Sequence, residues 1–352
     1  MQCAEVIENV LAGKRISDEE FIILENQADL HQLGFLADSI RKKKHPEKVV
    51  TYVIDRNINY TDICISACKF CAFFKGPEEK DGYLLTFEEL AEKIDETKAL
   101  GGTQILLQGG LHPGQPLEYY EEMLRFMKSR GIHIHGFSPP EIHHFSELSG
   151  QPMPVVIERL IAAGLDSIPG GGAEILTDRV RNLTAPRKCS ADQWISIMEE
   201  SHRQGIRSSA TMMFGHVETS EERLEHLRRL RELQDRTGGF TAFIPWPFQP
   251  QNTVLSDLEK TTAVGYLRML ALSRIYLDNF DNIQASWVTQ GPKVAQLSLS
   301  FGANDFGSTM IEENVVAAAG VSFRLSEQEI RRLVSDAGYT PAQRLMDYTL
   351  LT

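Results

Sequence analysis

Three closely spaced cysteines are the feature of this chain that most directly suggests chemistry. Cys64, Cys68 and Cys71 form a C-x3-C-x2-C pattern, and the other two cysteines, Cys3 and Cys189, are far away in the sequence. Clustered thiolates are ligands of zinc or of iron–sulfur clusters. A cubane cluster held entirely by protein takes four cysteines. A cluster held by this triad would therefore keep one iron open, as catalytic metal sites do.

A structural zinc site is the alternative interpretation of the triad. Structural zinc motifs usually combine two ligand pairs. No second C-x2-C or H-x3-H pair is present, and the next histidine after Cys71 is His112. A zinc or iron storage module would also need a closed site with four ligands. The spacing therefore favours an iron–sulfur cluster with an open iron.

The bulk composition excludes several classes of protein. The chain has 352 residues, 42% of them hydrophobic, and a net charge of −12. That length suits one large barrel or two domains. Its dense basic run, Arg41 to Lys44, is short, so no nucleic-acid partner is expected. We predict no membrane span and no secretory signal, and therefore a cytoplasmic protein.

Apolar, strand-like runs alternate with helix-length segments along the chain. Such alternation is typical of parallel strands, and eight units predict an α/β fold of the closed (β/α)8 TIM-barrel type. We expect a helical extension over residues 1–48, the barrel over 49–309 and C-terminal helices over 310–352. The predicted strands are Val49–Ile54, Thr103–Gln108, His133–Phe137, Asp166–Ile168, Ser208–Phe214, Thr241–Trp246, Asn282–Trp287 and Leu297–Phe301.

Several helix starts carry capping boxes, in which a Ser or Thr is followed three residues later by an acid or amide. Two of the helices that follow have apolar residues every three or four positions, which predicts a face packed on the barrel wall. These stripes are Leu90, Ile94 and Thr97, and Leu224, Leu227, Leu230 and Leu233. The predicted boxes are Ser17 with Glu20, Thr86 with Glu89, Ser190 with Gln193, Thr219 with Glu222, and Ser326 with Glu329.

The cysteine spacing and its place after the first strand resemble the radical S-adenosylmethionine (SAM) superfamily. The resemblance implies a [4Fe–4S] cluster on Cys64, Cys68 and Cys71, with SAM bound to the open iron as co-substrate. It also implies a set of cofactor-binding residues. Gln108, Gly109 and Gly110 would lie along the methionine part of SAM, and Phe70 would pack on adenine. Ser138, Glu141 and Glu174 come after strands at the same rim, where the carboxylate of Glu141 or Glu174 could bind ribose hydroxyls.

Several longer segments resemble the cyclic dehypoxanthinyl futalosine synthase family of menaquinone biosynthesis. The most discriminating are D-S-I-P-G-G-G at 166–172 and A-S-W-V-T-Q-G at 285–291. The family reaction abstracts the C4′ hydrogen of dehypoxanthine futalosine, adds the carbon radical to the benzoate ring and restores aromaticity. Aminofutalosine synthase and the radical SAM subunits of deazaflavin (F0) synthesis are the alternatives. An external flavodoxin- or ferredoxin-type electron donor is expected.

The substrate would need an apolar wall, hydrogen-bond donors and a base. We expect these groups at the C-terminal ends of the strands, where barrel enzymes place their chemistry. Trp246, Phe248, Trp287 and Phe306 are the candidates for the wall. Ser286, Thr289, Gln290 and Asn304 are the candidates for binding hydroxyls or the carboxylate. Asp305, Glu141 and His112 are the preferred catalytic candidates, and His216 and Tyr60 are further candidates for the base.

Overall fold

A computed structural model describes residues 2–351, and the chain begins with three helices. These are α1 (Cys3–Leu11), α2 (Asp18–Gln27) and α3 (Leu30–Lys44). The side chain of Ser17 and that of Glu20 cap α2 reciprocally, as predicted, and Asp29 and Gln32 cap α3 in the same way. Helices thus account for most of the described chain up to Lys44.

Strands and helices then alternate along the chain. The elements in order are β1 (Val49–Val53), β2 (Asp55–Asn59), α4 (Phe87–Ala99), β3 (Gln104–Gln108), α5 (Leu117–Ser129), β4 (His133–Gly136), α6 (Pro139–Ser149), α7 (Met153–Ala163), β5 (Ser167–Ile168), α8 (Asp178–Thr184), α9 (Ala191–Arg203), β6 (Arg207–Phe214), α10 (Ser220–Thr237), β7 (Phe240–Pro247), α11 (Ala263–Tyr276), β8 (Asn282–Ile283), α12 (Trp287–Gln290), α13 (Pro292–Ser298), β9 (Asp305–Ser308), α14 (Val315–Ala318), α15 (Glu327–Asp336) and β10 (Thr340–Gln343).

The strands form a curled parallel sheet that closes on itself. β2 to β8 pair in chain order, and β1, which runs into β2, pairs with β9. A parallel bridge between Gln284 and Asp305 connects the end of β8 to β9. Counting β1 and β2 as one strand gives eight positions, so the predicted TIM-type α/β fold is confirmed.

The capping boxes and the apolar stripes explain where the outer helices start and which face they bury. All five predicted boxes are present, at α2, α4, α9, α10 and α15. Leu224, Leu227, Leu230 and Leu233 on α10 are buried in the core, and Leu90, Ile94 and Thr97 on α4 are buried too. Polar residues fill the opposite faces, as in other barrel helices.

The predicted eighth strand, Leu297–Phe301, is wrong. Gly291 is followed by Pro292 at the first position of α13, a place that proline favours, and the helix runs to Ser298 with Leu297 exposed. The eighth strand is β9, Asp305–Ser308. This shift moves the C-terminal end of the strand, and hence the rim of the barrel, from Gly302 to beyond Ser308.

The C-terminal segment is also only partly helical. α14 and α15 are present, but Gly338 adopts a left-handed φ of 86° after α15 and the chain then enters β10. β10 pairs in parallel with β1, as an edge strand that tolerates Pro341. The division at residues 48 and 309 remains a prediction. Among residues 2–351, none of the helices has the length and apolar character needed to cross a bilayer.

Candidate functional site

Two adjoining cavities occupy the C-terminal end and the interior of the barrel. One, of about 250 Å³, is lined by the three clustered cysteines, and we call it the cysteine cavity. The other, of about 280 Å³, extends into the barrel, and we call it the barrel chamber. The residues that line both are Gln108, Gly171, Trp246, Val315 and Val316. The two cavities therefore share part of their walls.

The loop after β2 holds the three cysteines at the cysteine cavity. The Cys64 N–H donates to the Lys75 carbonyl at 2.8 Å, and the Cys71 N–H donates to the Cys68 carbonyl at 3.1 Å. The Cys64 sulfur accepts hydrogen bonds from the N–H of Leu111 at 3.3 Å and from that of Ser66 at 3.4 Å. Hydrogen bonds to cysteine sulfurs tune iron–sulfur clusters.

Burial raises the pKa of two of these cysteines. It raises the pKa of Cys68 to about 11, against the opposing charge of Lys188, and it also raises the pKa of Cys71. All three cysteines are free. Within residues 2–351, no three His, Cys, Asp or Glu side chains converge on a point that suits a single ion. A cubane cluster binds its thiolates on separate irons, so the triad need not converge in that way.

The turn after β3 packs so closely on the cysteine loop that it requires glycine. A Cβ at Gly110 would lie 2.2 Å from the Ile63 carbonyl oxygen, and one at Gly109 would lie 2.5 Å from the Tyr60 ring. The Gly109 N–H donates to Glu141 at 3.0 Å and the Gly110 N–H to the Thr61 carbonyl at 2.9 Å. Both amide N–H groups of the turn are therefore already used by the protein.

Glu141 lines the cysteine cavity but is bound on every side. Its carboxylate accepts from the Tyr60 hydroxyl at 2.8 Å, the Gly109 N–H, and the Ser138 N–H and hydroxyl at 2.7 and 2.6 Å. Burial raises the pKa of Glu141, while these donors lower it. The geometry makes Glu141 a positioning residue for the glycine turn. Tyr60 lies beneath that turn and outside both cavities.

Glu174 has a carboxylate oxygen that no hydrogen bond satisfies. The residue adopts a left-handed φ of 40° at the cysteine cavity. Its Oε1 pairs with Lys188 Nζ at 3.0 Å, and Lys188 also lies 5.1 Å from the centre of the Phe70 ring. Its Oε2 is buried and accepts no hydrogen bond in the described chain, although Arg181 Nη1 lies 3.7 Å away in an ion pair. Glu174 and Phe70 thus offer a hydroxyl acceptor and an aromatic face side by side.

The barrel chamber brings together four of the predicted substrate residues. These are Trp246, Ser286, Trp287 and Thr289. The Ser286 and Thr289 hydroxyls are hydrogen-bonded at 2.7 Å, and the Trp287 Nε1 donates to the Ser308 carbonyl at 2.8 Å. The ring of Trp287 is thereby fixed against the chamber wall. Phe248 lines the neighbouring cysteine cavity instead.

The other candidates line neither cavity. His112 accepts from the Gly114 N–H at 3.0 Å in its own turn, and His216 contacts the Met213 carbonyl at 3.0 Å. Phe306 is buried in the core. The Gln290 amide donates to the Thr289 carbonyl at 3.4 Å. These residues support the local structure around the site.

Asn304 and Asp305 lie at the start of β9, away from the rim where they were expected. Asn304 accepts from Arg274 at 2.6 Å and donates to Asn282 at 2.8 Å. Asp305 is fully buried and paired with Arg344. Their expected place at the rim depended on the wrong eighth strand. The structure gives both residues bonds that hold strands together.

A polar lining inside the chamber was not predicted. The sequence signal for it is that Asp55 and Asn57 face the same side of β2, a pattern that equally suits a solvated strand face. His135 is neutral because burial lowers its pKa to about 3. The polar side chains that line the chamber beyond those predicted include Asp55, Asn57, Gln104, His135, Ser209, Thr211, Gln284, Glu313 and Arg344.

Family models and relatives match nearly the whole chain. The radical SAM superfamily model matches residues 58–230 and the CofH/MqnC C-terminal region matches 237–352. Cyclic dehypoxanthine futalosine synthase of Halalkalibacterium halodurans is 45% identical over 348 residues, which cover 98% of this chain and 94% of that one. The Streptomyces coelicolor enzyme of that name is also 45% identical, covering 97% and 87%. Aminodeoxyfutalosine synthase of Thermus thermophilus is 41% identical, covering 96% and 93%.

Solved structures share the fold at low sequence identity. Methylornithine synthase superposes with a TM-score of 0.74 at 18% identity, covering 96% of this chain and 97% of that one. A FeFe-hydrogenase maturase from Carboxydothermus hydrogenoformans gives 0.75 at 19%, covering 98% and 80%. The family model, the relatives that match nearly the whole chain, the barrel and its cysteine loop lead to one conclusion. The chain belongs to the radical SAM superfamily and is a radical SAM enzyme that uses a [4Fe–4S] cluster and SAM.

Proposed function

We propose that this enzyme converts dehypoxanthine futalosine into cyclic dehypoxanthinyl futalosine in the futalosine pathway of menaquinone biosynthesis. The observation that carries the proposal is the 45% identity, over nearly the whole chain, to two enzymes named for that product. Relatives named for other reactions are 41% and 39% identical. The adjoining cavities support it, because a cofactor and an aromatic substrate could lie in contact.

The residues of the cysteine cavity suit the cofactors. Cys64, Cys68 and Cys71 would hold three irons and leave the fourth for SAM. When bound, the cluster and SAM supply a 5′-deoxyadenosyl radical that removes a hydrogen atom from the substrate. Glu174 would accept a ribose hydroxyl and Phe70 would pack on adenine. We further propose a cytoplasmic enzyme with an external flavodoxin- or ferredoxin-type donor.

The barrel chamber suits the substrate. Trp246 and Trp287 would cover the aromatic ring, and the Ser286 and Thr289 hydroxyls would bind polar groups of the substrate. The chamber lies inside the barrel, and a substrate that fills it would displace water, which protects a carbon radical from side reactions. None of the preferred base candidates lines the chamber. Asp305 and His112 are therefore not proposed as the base that removes the ring proton.

Anaerobic turnover tests the proposed reaction. The reconstituted enzyme is mixed with dithionite, SAM and dehypoxanthine futalosine, and products are followed by mass spectrometry. We expect 5′-deoxyadenosine in equal amount to a product that has lost two hydrogens. An adenosylated product without free 5′-deoxyadenosine, formed from an enolpyruvyl benzoate instead, would favour the aminofutalosine synthase reaction. Free 5′-deoxyadenosine with unchanged substrate would overturn the substrate assignment.

Replacing Glu174 with glutamine is expected to weaken SAM binding about ten- to a hundredfold, because a hydrogen bond to a charged group contributes roughly 1.5–3 kcal/mol. The substitution keeps the size of the side chain and removes its charge. Anaerobic calorimetry of SAM binding to the cluster-loaded enzyme measures the change. Glu122→Gln, at an exposed position of α5, is the matched control. An unchanged dissociation constant for SAM would indicate that Glu174 acts only through its ion pairs with Lys188 and Arg181.

A further inference from the structure

Two buried amide side chains on neighbouring strands face the barrel chamber with unpaired oxygens. Asn57 on β2 is 6% exposed and Gln104 on β3 is 4% exposed, and both line the chamber. Asn57 Oδ1 and Gln104 Oε1 accept no hydrogen bond within residues 2–351. Leaving a buried acceptor unpaired costs about 1–3 kcal/mol. A pair of them in one cavity therefore indicates that a ligand supplies the donors.

A short relay fixes the direction of the Gln104 amide. Its Nε2 donates to Asp55 Oδ2 at 2.8 Å, and the Ser308 hydroxyl donates to Asp55 Oδ1. Because Asp55 takes the amide N–H, the carbonyl oxygen is the end of Gln104 that stays free. The Asn57 side chain makes no hydrogen bond to the described protein through its oxygen, so it too can accept.

The ligand group that fits two such acceptors is a set of hydroxyls. A carboxylate offers no hydrogen-bond donors to these two oxygens, and Arg344, the guanidinium in the chamber lining, is already paired with Asp305. The aromatic side chains of the chamber are elsewhere, with Trp246 on β7 and Trp287 after β8. The chamber therefore has one polar, acceptor-rich wall and one aromatic wall.

We propose that Asn57 and Gln104 form a hydroxyl-binding subsite that holds the sugar of the substrate, while its aryl group packs on Trp246 and Trp287. This inference rests on the proposed function, since dehypoxanthine futalosine joins a sugar to a benzoate. The sugar would lie against β2 and the start of β3, below the C-terminal ends of these strands, which lead to the cysteine loop and to the glycine turn.

Binding of two probes to the unreduced, cluster-loaded enzyme tests the subsite. The probes are dehypoxanthine futalosine and 3-propanoylbenzoate, which keeps the aryl ketone and carboxylate but lacks the sugar. Asn57→Leu and Gln104→Met remove the acceptors at similar volume. Ile105→Met, at a fully buried residue next to Gln104 on β3 that lines neither cavity, is the matched control. Dissociation constants come from anaerobic calorimetry, and SAM binding checks that each variant is folded.

We expect each acceptor variant to weaken binding of the full substrate about five- to tenfold, the value of a hydrogen bond of about 1 kcal/mol or slightly more. Binding of the sugar-free probe and of SAM should change less than about twofold. Equal losses for both probes, or no loss for the substrate, would overturn the subsite while leaving the cyclase reaction in place. A wild-type enzyme that binds no dehypoxanthine futalosine would instead overturn the proposed function, and the sugar assignment with it.

Discussion

Replacing Cys68 with serine is expected to abolish the visible absorbance of the cluster and to reduce SAM cleavage to background. A serine hydroxyl is a poor ligand for iron, and a cluster with three protein ligands has no spare cysteine to replace the lost one. Cys68 is 6% exposed and its sulfur lies 3.1 Å from the Ser66 hydroxyl. The serine oxygen would therefore stay in place and leave one iron without a thiolate. Iron and sulfide content after anaerobic reconstitution, and 5′-deoxyadenosine after reduction, measure the loss.

Cys189→Ser is the matched control for that experiment. Cys189 is also buried, at 2% exposure, but it lies outside the cysteine loop, where its carbonyl accepts from Arg181 Nε at 2.9 Å. This variant should keep its cluster and cleave SAM. If Cys68→Ser held iron and sulfide at the wild-type level while Cys189→Ser lost both, the assignment of the ligand triad would be wrong.

The parts of the site that could be predicted are those set by residues close together in the chain. The cysteine spacing and the Gly109–Gly110 turn are local patterns, and the structure places them at one cavity. Glu174 and Phe70 could be predicted for the same reason, since Glu174 comes shortly after β5 and Phe70 lies within the cysteine loop. Capping boxes were correct for the same reason, because each box involves residues three positions apart.

The errors arose where distant residues decide the structure. The last barrel strand is short, and the apolar run before it forms α13 because Gly291 and Pro292 start a helix there. The backbone at Asn304 and Asp305 pairs with β8 and β1, contacts that the local sequence does not reveal. Because the eighth strand was predicted several residues too early, Asn304 and Asp305 were expected after its C-terminal end, at the rim. They lie instead at the start of β9, towards the opposite end of the barrel.

The chamber lining required the barrel itself to be known. Asp55, Asn57 and Asn59 alternate along β2, and all three are buried. From the sequence of one strand alone, polar residues at alternate positions indicate a face exposed to solvent. Once the sheet closes, the same face lines an internal cavity. Arg344 reaches that cavity only because β10 pairs with β1, almost 300 residues earlier in the sequence.

Replacing Arg344 with methionine is expected to lower the free energy of unfolding by about 3–5 kcal/mol, the usual loss when one member of a buried ion pair is removed. Arg344 Nη2 donates to Asp305 Oδ1 at 3.1 Å, and the two side chains are 4% and 0% exposed. Asp305 also accepts from the Thr51 hydroxyl and from the Gly307 N–H at 2.8 Å. Without the guanidinium, these neutral donors would be left to stabilise a buried charge. Urea unfolding followed by circular dichroism measures the change.

Two comparisons separate the ion pair from general packing. Arg125→Met removes an exposed partner of Glu121 and should cost less than about 1 kcal/mol, as surface pairs do. In the double variant Arg344→Met/Asp305→Leu, the loss should be clearly smaller than the sum of the single losses, because no unpaired charge remains. Strict additivity would contradict the pairing. Additivity would mean that Asp305 does not stabilise the fold through Arg344. The carboxylate would then not serve to join β9 to the C-terminal strand, and a chemical role for it would have to be considered again.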